Sequence, residues 1–526
     1  MIIIGAGHNG LVAASYLAKA GKKVLMLEAN NEVGGAATSE QVFAGVDARL
    51  SRYSYLVSLL PDQILLDLDL KFETISRKIS SYTPYLKNGI QAGLLVKRVW
   101  DQSNVESFKS LTDTEAESKA WYKFYDQVSK FAKVVSPTLL KPLPTKSEIK
   151  NTLADDEIWQ MLVEQSLGKT LDERFEDDLV KGVILTDGLI GTFSSAYEMQ
   201  TNICFIYHLI GNGSGEWKVP KGGMGALVLE LHKKAKSLGV DIKVNSKVES
   251  VSATDSQVDI ELESGEKFSA NYLLSNAAPQ VLAQLMGEEK PKSLEGSQIK
   301  INMVLKSLPK FKSGIDAKDA FVGTLHINES FTQLEKAYND AKSGLFPNEL
   351  PLEMYCHTLT DPSILGQELQ DAGYQTLTLF GLHTPASLFD GDNDAARELA
   401  IKSALSSLND YLAEPIEDLI AAIEVKTPLD IEEAIALRAA GISAPILAWL
   451  VPPGSDFKSA VDNDIDLAVS SLKALDEVSA VKSAKRPRVH LEVDTGMTRG
   501  GFLDEWPKID ALHLHGVEII GIFSHF

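Results

Sequence analysis

At 526 residues the chain exceeds the size at which a single hydrophobic core stops growing, so two or more domains are expected. Hydrophobic residues make up 44% of it and charged residues 23%, the proportions of a globular protein and not of a disordered or collagen-like one. The 51 basic and 72 acidic residues leave a formal charge of -21, which repels polyanions and excludes the electrostatic footprint of a nucleic-acid or anionic-lipid binder.

The chain opens on Met1-Ile2-Ile3-Ile4, an apolar run of buried parallel-strand type. Gly5-Ala6-Gly7-His8-Asn9-Gly10 follows at once, and Leu11, Ala14, Leu17 and Ala18 then repeat at helical spacing. In such a strand-turn-helix, Gly5 permits the tight turn and Gly7 the approach of backbone to a pyrophosphate. Gly10 permits close packing of helix on strand, and the free N–H groups of the helix start face the phosphate. The second strand, Lys23-Val24-Leu25-Met26-Leu27, ends in Glu28, placed to accept hydrogen bonds from an adenosine ribose. Gly34-Gly35-Ala36 lies just beyond and can bring a second stretch of backbone to the pyrophosphate, which favours FAD over NAD.

Residues 60–215 read as helix-rich, with an amphipathic stretch at 115–132. A helix is expected over 225–239, then strands at 240–244, 247–251, 258–262 and 268–274, and a mixture of strands and helix over 298–420. Cys204 and Cys356 lie outside any C-x-x-C spacing, so both are expected as inert core thiols. His208, His232, His357 and His383 lack metal-ligand spacing, and no metal site and no nucleophile-base pair is read from the residues. There is no run of about eighteen apolar residues and no cleavable leader pattern, so a cytoplasmic protein is expected, with peripheral membrane contact left open.

Taken together with Thr186-Asp187-Gly188-Leu189-Ile190-Gly191, Trp217-Lys218-Val219-Pro220-Lys221-Gly222-Gly223 and Leu273-Leu274-Ser275-Asn276-Ala277-Ala278-Pro279, the nucleotide signature resembles the phytoene (carotenoid) desaturase and amine oxidase superfamily. Within it, the branch containing pyridine nucleotide-disulfide oxidoreductase domain-containing protein 2 is the nearest likeness. The resemblance covers about residues 1–430. It implies a Rossmann-like α/β FAD-binding domain (1–75 with 215–297), into which an α+β substrate domain (76–214 with 298–430) is inserted. It also implies that hydride passes to the flavin N5 and that the backbone of Val248 meets the adenine; the plain alternative for Val248 is a strand core valine. No catalytic side chain is assigned. The apolar content of the inserted region suits a small, lipophilic substrate and equally suits an ordinary core.

From residue 431 the text changes. Residues 432–447, with Val489-His490-Leu491-Glu492-Val493-Asp494-Thr495-Gly496 and Gly521-Ile522-Phe523-Ser524-His525-Phe526, resemble the pyridoxal-phosphate barrel of alanine racemase. Helices at 431–440 and around 466–479 and strands at 445–450, 488–493 and 519–523 are expected, a piece of a βα (TIM-type) barrel. The resemblance implies a substrate contact for Arg499 and a place beside the cofactor ring for His525. The upstream Schiff-base lysine and the racemase tyrosine are missing from it, which argues against pyridoxal phosphate and racemase activity. The final apolar strand is expected to leave an open sheet edge. The expectation is therefore an FAD-dependent oxidoreductase of desaturase or dehydrogenase type fused to a racemase-like fragment, by recombination or by an error of gene assembly. The flavin-closing ending of the family is absent, so the alternative is an inactive FAD or adenine-nucleotide binder.

Overall fold

The computed structural model describes residues 1–43, 45–51, 53–288, 296–428, 446–448, 457–462, 465–469, 471–483, 485–492 and 516–523. The chain divides into two compact units. Met1–Gln41, Asp47–Leu388 and Leu399–Val425 make up the first; Val42–Val46, Phe389–Glu398 and Lys426–Phe526 make up the second.

The first unit begins with the expected strand Ile2–Ile4 and helix His8–Lys19. Ile2–Ile4 is flanked in a parallel sheet by Leu273–Ser275 on one side and Leu25–Leu27 on the other, with Asp241–Lys243 beyond. All four strands are short, and their hydrophobic side chains are buried under His8–Lys19 and the helix Met224–Ser237 by Leu11, Ala14, Leu227 and Leu231. A three-stranded antiparallel sheet, Val248–Ala253, Val258–Leu262 and Lys267–Ala270, covers the other side through Val248, Val251 and Ile260. The single strand expected over 268–274 is two strands in different sheets, Lys267–Ala270 and Leu273–Ser275. The chain changes partner between them, which alternation along one strand cannot reveal.

The largest sheet has seven strands, in the order Ile420–Lys426, Ile299–Leu305, Gln375–Gly381, Leu352–Tyr355, Thr324–Ile327, Ile79–Lys87 and Ile90–Lys97. Its last two strands form a hairpin inside the stretch expected to be helix-rich. The signal for it is Asn88-Gly89, whose φ angles of 54° and 78° suit a two-residue turn with both central residues left-handed. The helices Gln102–Thr112, Ala116–Val135, Leu167–Arg174, Asp178–Leu185 and Met199–Ile210 enclose a core of Phe108, Trp121, Phe124, Leu171, Ile184 and Phe205. None of the described helices is long and apolar enough to cross a membrane.

In the second unit four parallel strands, Ile446–Ala448, Ile465–Val469, Arg488–Glu492 and Glu518–Phe523, pair in chain order. The helices Phe457–Asp462 and Leu472–Ser479 pack on them through Phe457, Val461, Leu475 and Val478. The helix expected around 466–479 starts only at Leu472, capped by the Ser471 hydroxyl, which accepts from the Ala474 N–H at 3.3 Å. Residues 465–469 form a strand instead: Asp466, Leu467, Ala468 and Val469 are all buried, and so short a run, buried on both faces, has no period that separates it from helix. The helix expected at 431–440 lies outside the described residues.

Candidate functional site

The ends of the parallel strands carry the residues singled out by sequence. Gly5, at φ 88°, turns the chain out of the first strand, and its N–H donates to Leu27 O at 2.8 Å. A Cβ on Gly10 would lie 2.4 Å from Gly5 O, and one on Gly35 would lie 3.1 Å from Gly7 Cα. The two glycine segments therefore touch backbone to backbone, joined by Gly34 N–H donating to Ala6 O at 2.8 Å. Gly34 and Gly35 sit at φ 131° and 56°, in the region that favours glycine. Gly7 is the N-cap of His8–Lys19 and has no side chain to accept the first-turn N–H groups. Beside it, His8 Nδ1 is buried without a partner among the described residues, and burial lowers the His8 pKa.

Glu28 is buried and accepts from Ala6 N–H at 2.7 Å and from Asn30 N–H at 3.0 Å. A carboxylate has about four acceptor positions, so about two are left for ribose hydroxyls. The uncapped helix start, the orphaned imidazole nitrogen and the cradle that a Cβ would fill fit the diphosphate of a dinucleotide. The structure brings Gly5, Ala6, Gly7, Gly10, Glu28, Gly34 and Gly35 together, and Ala36 follows on an exposed 3-10 turn. The Val248 side chain is buried against Ile2, Ile4 and Leu27. Asn276 was not singled out by itself, yet its Nδ2 donates to Gly5 O at 3.4 Å and would stand 3.0 Å from a Cβ on Gly7. Its position directly after a strand that pairs with the first was the available signal. Arg499 and His525 lie outside the described residues.

A second group of candidate residues lies on the seven-stranded sheet. In register across it, Ile301, Leu379, Met354 and Leu325 are neighbours on one face, all buried and apolar. The alternate residues Lys300, Phe380, Glu353 and His326 form the neighbouring row, with Asn302, Thr378 and Tyr355 next to it. This face is polar and nevertheless buried, so its groups must find partners. Lys300 Nζ donates to Ser51 O at 2.7 Å and Tyr53 O at 3.2 Å, and stands over the rings of Tyr55 and Phe380. Burial lowers its pKa to about 7, against the opposing pull of Glu424. Tyr55 OH donates to Glu353 Oε1 at 3.3 Å, and Tyr355 OH donates to Tyr55 O at 3.3 Å. Burial pushes Glu353 up to about 8 and Asp187 up to about 6. His326 Nδ1 and Glu329 Oε2 are 2.5 Å apart, but burial drives the imidazole down and the carboxyl up. Burial thus disfavours the charged form of both partners of this contact.

A small cavity, with room for about one water, is lined by Arg49, Leu50, Ser51, Tyr55, Gly223, Tyr355, His357, Ile364 and Thr378. None of the groups of the sheet face or the cavity was legible as a site, since they lie on seven separated strands and loops. Burial raises the thiols of Cys204 and Cys356 to about 12 and about 11, which keeps both protonated at neutral pH.

Among proteins of known sequence, the family of flavin containing amine oxidoreductases matches residues 73–337, and an NAD(P)-binding Rossmann-like domain matches residues 3–62. The N-terminal domain of alanine racemase matches residues 417–526. An uncharacterized protein of Mycobacterium tuberculosis is 39% identical over 471 residues, 85% of this chain and 87% of its own length. Pyridine nucleotide-disulfide oxidoreductase domain-containing protein 2 of Mus musculus is 27% identical over 518 residues, 88% of each chain. An alanine racemase of Frankia casuarinae is 44% identical over 104 residues, 18% of this chain and 27% of the enzyme. The solved structure of putrescine oxidase bound to putrescine shares the fold, with a TM-score of 0.53 at 18% identity over 81% of this chain and 84% of that one.

Proposed function

The chain belongs to the flavin containing amine oxidoreductase family, with a stretch of the alanine racemase N-terminal domain in its C-terminal part, and from this we propose that it is an FAD-dependent oxidoreductase of dehydrogenase type. The observation that carries the reading is the contact of the two glycine segments beside an uncapped helix start, with Glu28 fixed at the neighbouring strand end. Backbone N–H groups of residues 7–10 and 34–36 would hold the diphosphate, and Glu28 the adenosine ribose. FAD, when bound, supplies the acceptor for a hydride from a substrate C–H.

The chain's own residues supply orientation and proton handling. Lys300, held by Ser51 O and Tyr53 O and with its pKa lowered to about 7, can hold or release a proton near neutrality at Nζ. Tyr55, Tyr355 and Phe380 exclude water around it, with ring centroids 4.8 and 4.7 Å from Tyr55. The racemase-like stretch corresponds to 27% of the Frankia enzyme, and no pyridoxal-phosphate chemistry is proposed for it. The test is the visible spectrum of the purified full chain after incubation with FAD and desalting. A retained flavin band supports the reading, and a protein that stays colourless with excess FAD refutes it.

A further inference from the structure

Glu28, Glu117 and Asp361 are fixed as acceptors of backbone N–H groups. Glu353 is held differently. Its strand is interior to the seven-stranded sheet, where it stands directly opposite His326 on one neighbour and Phe380 on the other. Its donor is the Tyr55 hydroxyl, at 3.3 Å from Oε1. Among the described residues Oε2 has no hydrogen-bond partner and no cation forms an ion pair with the carboxyl. Tyr55 and Glu353 lie deep in the first unit and yet keep part of their surface free, so the pair borders internal space. The charged and titratable groups that face Glu353 are His326, Glu329 beyond it, Asp187 after the helix Asp178–Leu185, and Arg77 before the hairpin. Burial is the largest influence and disfavours the anion; Glu329 and Asp187 act with it, while His326 and Arg77 oppose it. The result is a carboxyl at about 8, a stronger base than an ordinary carboxylate.

We propose that Glu353 is the internal proton acceptor of the site and that the Tyr55 hydroxyl relays the proton to it. The Tyr55 ring lies 5.7 Å below Lys300 Nζ, and Tyr55 also lines the one-water cavity with Ser51, Tyr355 and Thr378. It is therefore the link between that space and Glu353. Oxidation of a substrate removes a hydride from a C–H bond, which FAD takes, and a proton from the neighbouring O–H, N–H or C–H bond. That proton passes to the Tyr55 oxygen while the Tyr55 proton passes to Glu353, and the substrate gains a double bond. The hydride carries one negative charge to the flavin as Glu353 loses one, so the buried site holds the same net charge before and after. The acceptor role rests on the flavoenzyme reading; the proton exchange of Glu353 does not.

The test is infrared difference spectroscopy of the full chain. Without flavin, a step from about pH 7 to about pH 9 should remove the band of one protonated carboxyl. Glu353→Gln should lack this loss, and Glu353→Asp, which keeps a carboxyl, should restore it. Tyr55→Phe should move the loss to higher pH, because the carboxylate is deprived of its hydrogen-bond donor. With FAD bound, photoreduction at the higher pH should bring the band back in the parent chain and not in Glu353→Gln. A parent chain that shows no loss, or a loss that Glu353→Gln shares, overturns the proposal. An unmoved loss in Tyr55→Phe overturns the relay, and this variant decides the matter if Glu353→Gln does not fold. If reduction of bound FAD brings no band back, or if proton uptake persists in Glu353→Gln and vanishes in Lys300→Met, Glu353 is not the acceptor. If no flavin is retained, the oxidoreductase reading fails and the pH step still decides the exchange: a loss that depends on Glu353 and Tyr55 upholds it, and its absence overturns it.

Discussion

Replacing Gly10 with alanine tests the dinucleotide cradle at its tightest point. The added Cβ would stand 2.4 Å from Gly5 O, at least 1.0 Å inside the 3.4 Å at which ordinary contact begins. Gly5 cannot retreat freely, because its N–H is bonded to Leu27 O and the next strand pins Ile4 O through Asn276 N–H. Overpacking of this kind costs about 1–3 kcal/mol, which for a protein of this size lowers the melting temperature by only a few degrees. The larger effect falls on the ligand. If the displaced loop loses two charge-assisted hydrogen bonds to the diphosphate, at about 1.5–3 kcal/mol each, FAD binding weakens by roughly two to four decades. Gly21→Ala is the control: Gly21 also has a positive φ, 78°, but nothing lies within 4 Å of its Cβ position. It should cost about 1–2 kcal/mol of backbone strain and leave flavin binding alone. The assay is FAD fluorescence titration of both variants after apoprotein preparation. Equal affinities for Gly10→Ala and the parent chain would refute the cradle.

Three further outcomes follow from burial. The Lys300 amine titrates at about 7 in the folded chain against an ordinary 10.5, so between these values the unfolded chain binds more protons and stability rises with pH. Lys300→Met should remove that rise, and parallel urea midpoints of the two proteins from pH 7 to 9 would contradict it. Glu353 is shifted the other way by burial, to about 8 from 4.5, so its contribution is full below 4.5 and is lost as pH climbs through about 8. Glu353→Gln should flatten that decline between pH 5 and 8, an effect absent if the carboxyl ionises normally. In the second unit, Leu475→Ala removes a fully buried side chain and should cost about 2–5 kcal/mol. Proteolysis within residues 457–523 should accelerate, and an unchanged cleavage rate would count against this core.

Much of this protein is written in local sequence. The first strand, its glycine turn, Glu28 and the second glycine pair occupy 35 consecutive residues, and each residue type is dictated by a backbone or charge requirement that acts over a few neighbours. Three of the four parallel strands of the second unit, at 446–448, 488–492 and 518–523, are legible for the same reason, as apolar runs, and so is the change of family near residue 430. The hairpin at 79–97 carries a local mark of the same kind, Asn88-Gly89, which the reading of 60–215 as helix-rich passed over.

Tertiary structure alone decided the polar face and the cavity. Lys300, Glu353, Tyr355 and Phe380 become neighbours only when strands from distant parts of the chain pair in register. Tyr55 and Arg49 come from a loop that folds over them. In sequence, a lysine or glutamate in an alternating strand reads as the solvent side of a half-buried sheet. Here a second layer covers that side, and its desolvation converts ordinary charged residues into groups that titrate near neutrality. Local periodicity records which side chains share a face; it holds no record of what will cover that face.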